Sequence, residues 1–343
     1  DNNNDVVLGG WSKIFILNYS GGELFSAGLF TITSKPSIGD LEGDGNFEVV
    51  FNDNYGIITV FNNIGQVLWQ KNAGDSSNMY GSTTLTDLNG DGKLEIVVGN
   101  DNGRLRVFDF QGNILWLNQT IGSISGVSVG DLDNNGNLEI VVPSYNHETG
   151  KFRIYIYDKD GNYLINPIDV QLINPYDDYG SSSWQYGSSP ILSDINNDGY
   201  KEIIIGLPDG SLGVWNHNGS LYWKQELKPG YRTRSPAIGD LDNNGNLEIV
   251  ASSGNGVYAL YYNSSLVSGF PVYPNEYDDH ILLSSPILAD IDNDSYLEVL
   301  ISSNDKVKIY RLDGSEIYIN SFFTGNNYGT VGVGDLDNNG KTD

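Results

Sequence analysis

The sequence predicts an all-β fold, a seven-bladed β-propeller of four-stranded blades. Three observations carry that prediction. An acidic nine-residue phrase, with carboxylates or amides at positions 1, 3 and 5 and a carboxylate at position 9, occurs seven times, beginning at Asp40, Asp87, Asp131, Asp194, Asp240, Asp290 and Asp335. The intervals between starts are 47, 44, 63, 46, 50 and 45 residues, a period that marks a solenoid, propeller or array. Each period also holds four short apolar runs rich in β-branched residues and separated by turn residues, which read as four strands, hence one blade.

The elements follow in chain order. The opening Asp5-Val-Val-Leu-Gly-Gly matches Glu95-Ile-Val-Val-Gly-Asn and so reads as a second strand without its first. Third and fourth strands follow at Lys13–Leu17 and Glu23–Phe25. In a complete period the four strands are 83–86, 94–98, 104–108 and 114–117. Hairpin turns recur between third and fourth strands, as Asn-Ile-Gly-Gln at 63–66, Phe-Gln-Gly-Asn at 110–113, Lys-Asp-Gly-Asn at 159–162 and His-Asn-Gly-Ser at 217–220. Their glycine supplies the positive φ that such turns require. No segment keeps a 3.6-residue period for ten residues, which excludes helical repeats. The last period stops at Asp343 after its first strand and acidic loop, so residues 1–27 and 328–343 together make one blade. Six intact blades and one shared blade give a single domain over 1–343, closed by its own ends. Asp5 and Asp343 compete for position 9 of the last loop.

Oxygen donors at alternate positions, with glycine where the backbone turns sharply, are what a hard cation of six to eight ligands needs. The candidate metal ligands are Asp40, Glu42, Asp44 and Glu48; Asp87, Asn89, Asp91 and Glu95; Asp131, Asp133, Asn135 and Glu139; Asp194, Asn196, Asp198 and Glu202; Asp240, Asp242, Asn244 and Glu248; Asp290, Asp292, Asp294 and Glu298; and Asp335, Asp337, Asn339 and Asp343. An EF-hand is excluded. It would carry its bidentate Glu at position 12 between helices, where this chain has Phe51, Val98, Val142, Ile205, Ala251 and Ile301. More than half of the 44 Asp and Glu lie in the motif, and the formal charge is −26. Seven divalent ions would bring it to about −12, an ordinary surface charge. Phosphate binding needs clustered Lys and Arg, so at this net charge nucleic acid is not an expected partner. No apolar stretch approaches a membrane span, so no membrane insertion is expected. Cysteine is absent, and no disulfide contributes.

These residues resemble the FG-GAP/VCBS repeats of integrin-α-type propellers, and the resemblance covers all seven copies. A Ser/Lys-Pro element with its proline four residues before the first Asp, at Pro36, Pro190, Pro236 and Pro286, belongs to the same pattern. The resemblance implies calcium in about seven loops, each joining the first and second strands of a blade on one rim. If a site's dissociation constant lies tenfold to a hundredfold below extracellular calcium, each ion stabilises the fold by roughly 1.4–2.7 kcal/mol. The metal is then structural. One departure is Ser295 at position 6 of the sixth copy, where the others carry glycine for a left-handed turn. Amides such as Asn89, Asn135, Asn196 and Asn244 lower the charge of their loops and imply weaker binding.

Second-to-third and fourth-to-first connections fall on the rim away from the acidic loops, where loops vary freely and binding resides. Three segments there are rich in aromatic and polar side chains. The insertion 166–185 contains Tyr176, Asp177, Tyr179 and Trp184, with Tyr186 just beyond it; 229–234 contains Tyr231, Arg232 and Arg234; and 273–280 contains Tyr277 and Asp278. Flat apolar faces with polar edges suit sugars or another protein. The alternative for Tyr80, Tyr186 and Tyr328 is that they plug the channel or pack between blades. Five Asn-X-Ser/Thr sequons, at Asn18, Asn118, Asn218, Asn263 and Asn293, are compatible with a glycosylated, exported protein. The expectation is a non-enzymatic extracellular adhesion or recognition module, binding glycan or a cell-surface protein and belonging to a larger extracellular chain. The competing readings are a calcium-dependent polysaccharide lyase and a structural surface spacer. His147, His217 and His280 form no catalytic arrangement in the sequence, and a carboxylate pair such as Asp177 and Asp278 has the chemistry for glycoside cleavage, although acids this common pair by chance.

Overall fold

The computed structural model describes residues 6–9, 13–18, 20–28, 35–53, 55–73, 83–173, 188–274, 284–303, 306–317 and 332–335. Every regular element among them is a strand, and they form seven antiparallel sheets in chain order, the blades of a seven-bladed β-propeller. Blade 1 contains Val6–Gly9, Lys13–Leu17 and Glu23–Gly28. Blade 2 runs Ser37–Gly39, Glu48–Asn52, Ile57–Phe61, Val67–Asn72, and blade 3 runs Thr84–Thr86, Glu95–Gly99, Arg104–Phe108, Ile114–Gln119. In blade 4 two short pieces, Ser123–Ile124 and Ser128–Gly130, both pair with Glu139–Asn146, followed by Lys151–Tyr157 and Ile168–Val170. Blade 5 has Ile191–Ser193, Glu202–Gly206, Ser211–Trp215 and Leu221–Glu226. Blade 6 has Ala237–Gly239, Glu248–Ser253 and Gly256–Leu260, and blade 7 has Ile287–Ala289, Glu298–Ser303, Lys306–Tyr310 and Glu316–Ile317.

The chain divides into two compact units, one with blades 1–4 and one with blades 5–7. In blades 2 and 5, one from each unit, the second and third strands are buried along nearly their whole length and the fourth strands are largely exposed. Burial on both faces explains why the inner strands read as continuous apolar runs instead of alternating ones. The covering comes from the next blade. Val50, Ile58 and Val60 of blade 2 share a core with Ile96, Val98 and Phe108 of blade 3. Ile204, Leu212 and Val214 of blade 5 do so with Ile249, Ala251 and Leu260 of blade 6.

Blade 6 departs from the four-strand expectation. Its outer edge is reduced to isolated bridges, Leu260 with Leu266 and Val257 with Val272. The segment between them includes Pro271, which has no N–H to continue a ladder. Completion of blade 1 by the C-terminal residues, with the competition between Asp5 and Asp343, falls outside the described residues. No helix among the described residues is long and apolar enough to cross a membrane.

Candidate functional site

Six acidic loops are described in full, and each joins the first strand of its blade to the second. The construction is the same throughout. Position 9 is the first residue of the second strand, so Glu48, Glu95, Glu139, Glu202, Glu248 and Glu298 are carried into the fold and buried. In five of the loops one oxygen of this carboxylate accepts from the N–H of position 2: Glu48 from Leu41 (3.0 Å), Glu95 from Leu88 (2.8 Å), Glu202 from Ile195 (3.1 Å), Glu248 from Leu241 (2.8 Å) and Glu298 from Ile291 (3.0 Å).

The aspartate at position 1 organises the turn itself. Asp40 Oδ1 accepts from the N–H groups of Gly43 (2.8 Å) and Asp44 (3.0 Å), and Oδ2 accepts from Gly45 (2.8 Å). Asp87 repeats this with Gly90, Asp91 and Gly92, and Asp290 accepts from Asp294 and Ser295. Position 5 accepts from the N–H of position 7, as from Asn46 to Asp44 and from Tyr296 to Asp294. Such wrapping needs two left-handed residues. Position 6 has φ between 73° and 90°, including Ser295 at 73°. Position 4 is left-handed too, at Gly43, Gly90, Asn134, Asn197, Asn243 and Asn293. Sequence reasoning singled out position 6 and passed over position 4, although only Gly and Asn, the residues that tolerate this conformation, occur there.

The electrostatics of the loops follow from this geometry. Backbone donation, Gly45 foremost, holds the Asp40 carboxyl below its ordinary range. For Asp87 burial pushes upward, but the N–H groups of Gly92, Gly90 and Asp91 together outweigh it, and the net direction is again down. The position-9 glutamates move the other way. Burial, opposed by the Ile195 N–H and reinforced by Asp198 and Asp194, pushes Glu202 up to about 7. Burial, with Asp242 and Asp240 adding to it, does the same to Glu248. Glu48, Glu95 and Glu298 are raised for the same first reason.

What faces the second oxygen of each glutamate differs with the residue at position 3. Asn89 Nδ2 donates to Glu95 Oε1 (3.1 Å), and Asn196 Nδ2 donates to Glu202 Oε1 (3.2 Å). Where position 3 is Asp242 there is no such donor, and Glu248 Oε1 is buried without a hydrogen-bond partner on a side chain of 0% exposure. Asp240, Asp242 and Glu248 bring carboxylate oxygens within 4.8 Å of one another, as do Asp131, Asp133 and Glu139, and Asp290, Asp292 and Asp294. An orphaned, desolvated carboxylate oxygen among other hard oxygen donors is the donor set a calcium-like cation fits. Position 3 of the Asp290 loop also meets a cation of the chain, with Arg311 Nη2 3.2 Å from Asp292 Oδ2.

The third-to-fourth turns lie beside these loops, as anticipated: Tyr200 of the Asp194 loop stacks on His217 of the turn at 4.2 Å. They also take part in something the sequence reading missed. Trp69, Trp116 and Trp223, each in a fourth strand, donate their indole N–H to the carbonyls of Phe110 (2.9 Å), Lys159 (2.8 Å) and Tyr262 (2.6 Å) in the corresponding turn of the following blade. The available signal was a Trp four residues after the turn glycine, at 69, 116 and 223.

At the other end of blade 6, the segment 228–236 is described. Tyr231 lies against Gly254, where an added Cβ would come within 3.1 Å of the Tyr231 Cγ, and the Lys228 ammonium stands 5.7 Å from the ring centroid. Tyr231, Arg232 and Arg234 are half-buried. The other candidates at that end (Tyr176, Asp177, Tyr179, Trp184, Tyr186, Tyr277 and Asp278) lie outside the described residues, as do Tyr80, Tyr328 and His280. So do Asp337, Asn339 and Asp343 of the last loop, of which only Asp335 is described.

Residues 87–142 and 194–251 match the family model of the FG-GAP-like repeat, each stretch running from one acidic loop through the next and into its second strand. The chain carries FG-GAP-like repeats. Among curated proteins, the phosphatidylinositol-glycan-specific phospholipase D of Mus musculus is 32% identical over 109 residues, and that of Rattus norvegicus 32% identical over 113. Each alignment covers 31% of this chain and 13% of the relative, so the chain matches only a small part of those proteins. Among solved structures, BamB from Moraxella catarrhalis superposes with a TM-score of 0.64 at 13% identity, over 95% of this chain and 87% of that one. BBS1N, solved in complex with ARL6DN, superposes with a TM-score of 0.57 at 13% identity, over 88% and 84%. At such identities these likenesses concern the fold alone.

Proposed function

We propose that the FG-GAP-like repeats form a calcium-stabilised extracellular recognition module, binding glycan or a cell-surface protein through the end opposite the acidic loops and catalysing no reaction. The observation that carries this reading is the way each acidic loop is closed on itself. The position-1 carboxylate is spent on the loop's own N–H groups, and the position-9 carboxylate is buried at the start of a strand. Carboxylates arranged in this way serve a scaffold cation and present little to a substrate. In the reading proposed here, positions 1, 3, 5 and 9 hold the ion. Calcium supplies the counter-charge for oxygens such as Glu248 Oε1, and the chain's own part is to fix the donors through the position-2 and position-4 to position-6 amides. Variable segments at the opposite end then carry recognition, and the module acts within a larger extracellular chain.

The phospholipase named among the relatives is an enzyme, but this chain matches 13% of it, and its activity is not carried over. A glycan and cell-surface protein array probed with the calcium-loaded chain tests the reading. Binding that is lost in Trp184→Ala and Tyr231→Ala supports it. Turnover of an acidic polysaccharide would replace it with the lyase reading, and the absence of any ligand would favour a spacer.

A further inference from the structure

One position in the repeat changes character in a single blade. Six residues before the first Asp of each acidic loop, the chain has Ser34, Gly81, Ser125, Ser188, Ser284 and Gly329, but Arg234 in blade 6. The backbone there is conventional. The Arg234 N–H donates to the Ser252 carbonyl (2.9 Å) in the same way that the Ser284 N–H donates to Ser302 (3.0 Å) one blade on. Serine at this position is buried, as Ser188 and Ser284 show. Blade 6 therefore places a guanidinium where its neighbours place a hydroxyl or nothing.

The surroundings make that charge costly. Arg232 is two residues away on an extended segment whose middle residue, Thr233, is buried and bridged to Ser253, so both arginines project to the side opposite Thr233. Burial first, and the adjacent Arg232 second, push the Arg234 guanidinium down to about 10. No described residue offers an acceptor within hydrogen-bond or ion-pair reach of it. The nearby Lys224 is already neutralised by Asp209 at 2.7 Å. In a chain with 18 Lys and Arg against 44 Asp and Glu, four cations fall within residues 224–234. A half-buried guanidinium beside a second one has the fork geometry and the desolvation that favour a bidentate anion.

We propose that Arg234, together with Arg232, is an anion-binding pair that takes a carboxylate or sulfate group of an acidic glycan. The proposal rests on the recognition reading above and narrows its ligand. Tyr231, half-buried and next to Arg232 in the chain, is the aromatic side chain of this segment that a sugar ring would meet.

Titration calorimetry of the full chain at fixed calcium, with hexagalacturonate, a heparin-derived hexasaccharide and neutral maltohexaose, tests it. One acidic probe should bind at least tenfold more tightly than maltohexaose, and which one does so separates carboxylate from sulfate. Arg234→Ser, which restores the residue of the neighbouring repeats, should weaken that binding at least tenfold. Without probe, its melting temperature should equal or exceed that of the parent chain, because an unpartnered charge has been removed. Equal acidic binding by Arg234→Ser, or a lowered melting temperature marking Arg234 as structural, would overturn the proposal. Maltohexaose binding as tight as either acidic probe would also overturn it while leaving glycan recognition standing. Binding of none of the three would overturn it too, with the array above left to judge protein recognition.

Discussion

Each glutamate at position 9 pulls a carboxylate out of water at the point where a buried strand begins, and its neighbours decide how well that charge is tolerated. Asn89 and Asn196 offer an amide N–H to Glu95 and Glu202, whereas Glu248 faces Asp242 and keeps one oxygen unpartnered. Glu248→Gln should therefore have opposite effects in two media. In chelator it removes a desolvated charge and raises the melting temperature. In calcium it removes a ligand and costs up to roughly 1.4–2.7 kcal/mol, the mass-action worth of one such ion. A melt of parent and variant in both media checks the change of sign. The pH dependence of the chelated protein follows from the same groups. Glu202 and Glu248 are raised to about 7 from an ordinary 4.5, so the folded state binds protons more strongly than the unfolded one between those values. Stability in chelator should thus rise as pH falls from 7 toward 4.5 and fall as pH rises through 7; a denaturant midpoint that is flat or opposite over this window would contradict it. Ser295, held at φ 73°, gives a simpler test. Ser295→Gly should stabilise by about 0.5–1 kcal/mol, the left-handed cost of about 1–2 kcal/mol less the added freedom of glycine in the unfolded chain.

The blade is the element whose design was most legible from sequence. The strands read at 83–86, 94–98, 104–108 and 114–117 lie at Thr84–Thr86, Glu95–Gly99, Arg104–Phe108 and Ile114–Gln119, because turn glycines and β-branched runs bracket them on both sides. What the period did not reveal was how one blade holds the next. Strand alternation says nothing about an indole N–H that reaches across to a neighbouring turn, and Trp69, Trp116 and Trp223 look like ordinary half-buried aromatics until their partners are known. Blade 6 lost its regular fourth strand where Pro271 interrupts the ladder, a departure that regular spacing concealed. Trp116→Phe should keep the ring's packing and lose only the bond to the Lys159 carbonyl, lowering unfolding free energy by about 1 kcal/mol. Equilibrium denaturation would show this as a lower midpoint at an unchanged slope.

Over the whole molecule, charge and fold are two aspects of one arrangement. More than half of the acids stand at regular stations, and that regularity made the acidic loops and their places between first and second strands readable from the sequence. Each position-1 Asp and position-9 Glu proved to have a separate structural task, the first wrapping the turn and the second opening a strand. The residues proposed for recognition were less legible, since single aromatic and basic side chains on irregular segments have no period to distinguish them. Arg234 stood out in the sequence only as one of two neighbouring cations, whereas its backbone hydrogen bond, the counterpart of that of Ser284, shows which station of the repeat it occupies. If the acidic loops are structural cation sites, as proposed, metal analysis of the full chain after dialysis against calcium should find about seven bound ions, one for each loop. Fewer than about four ions, or a melting temperature that chelator leaves unchanged, would overturn that assignment.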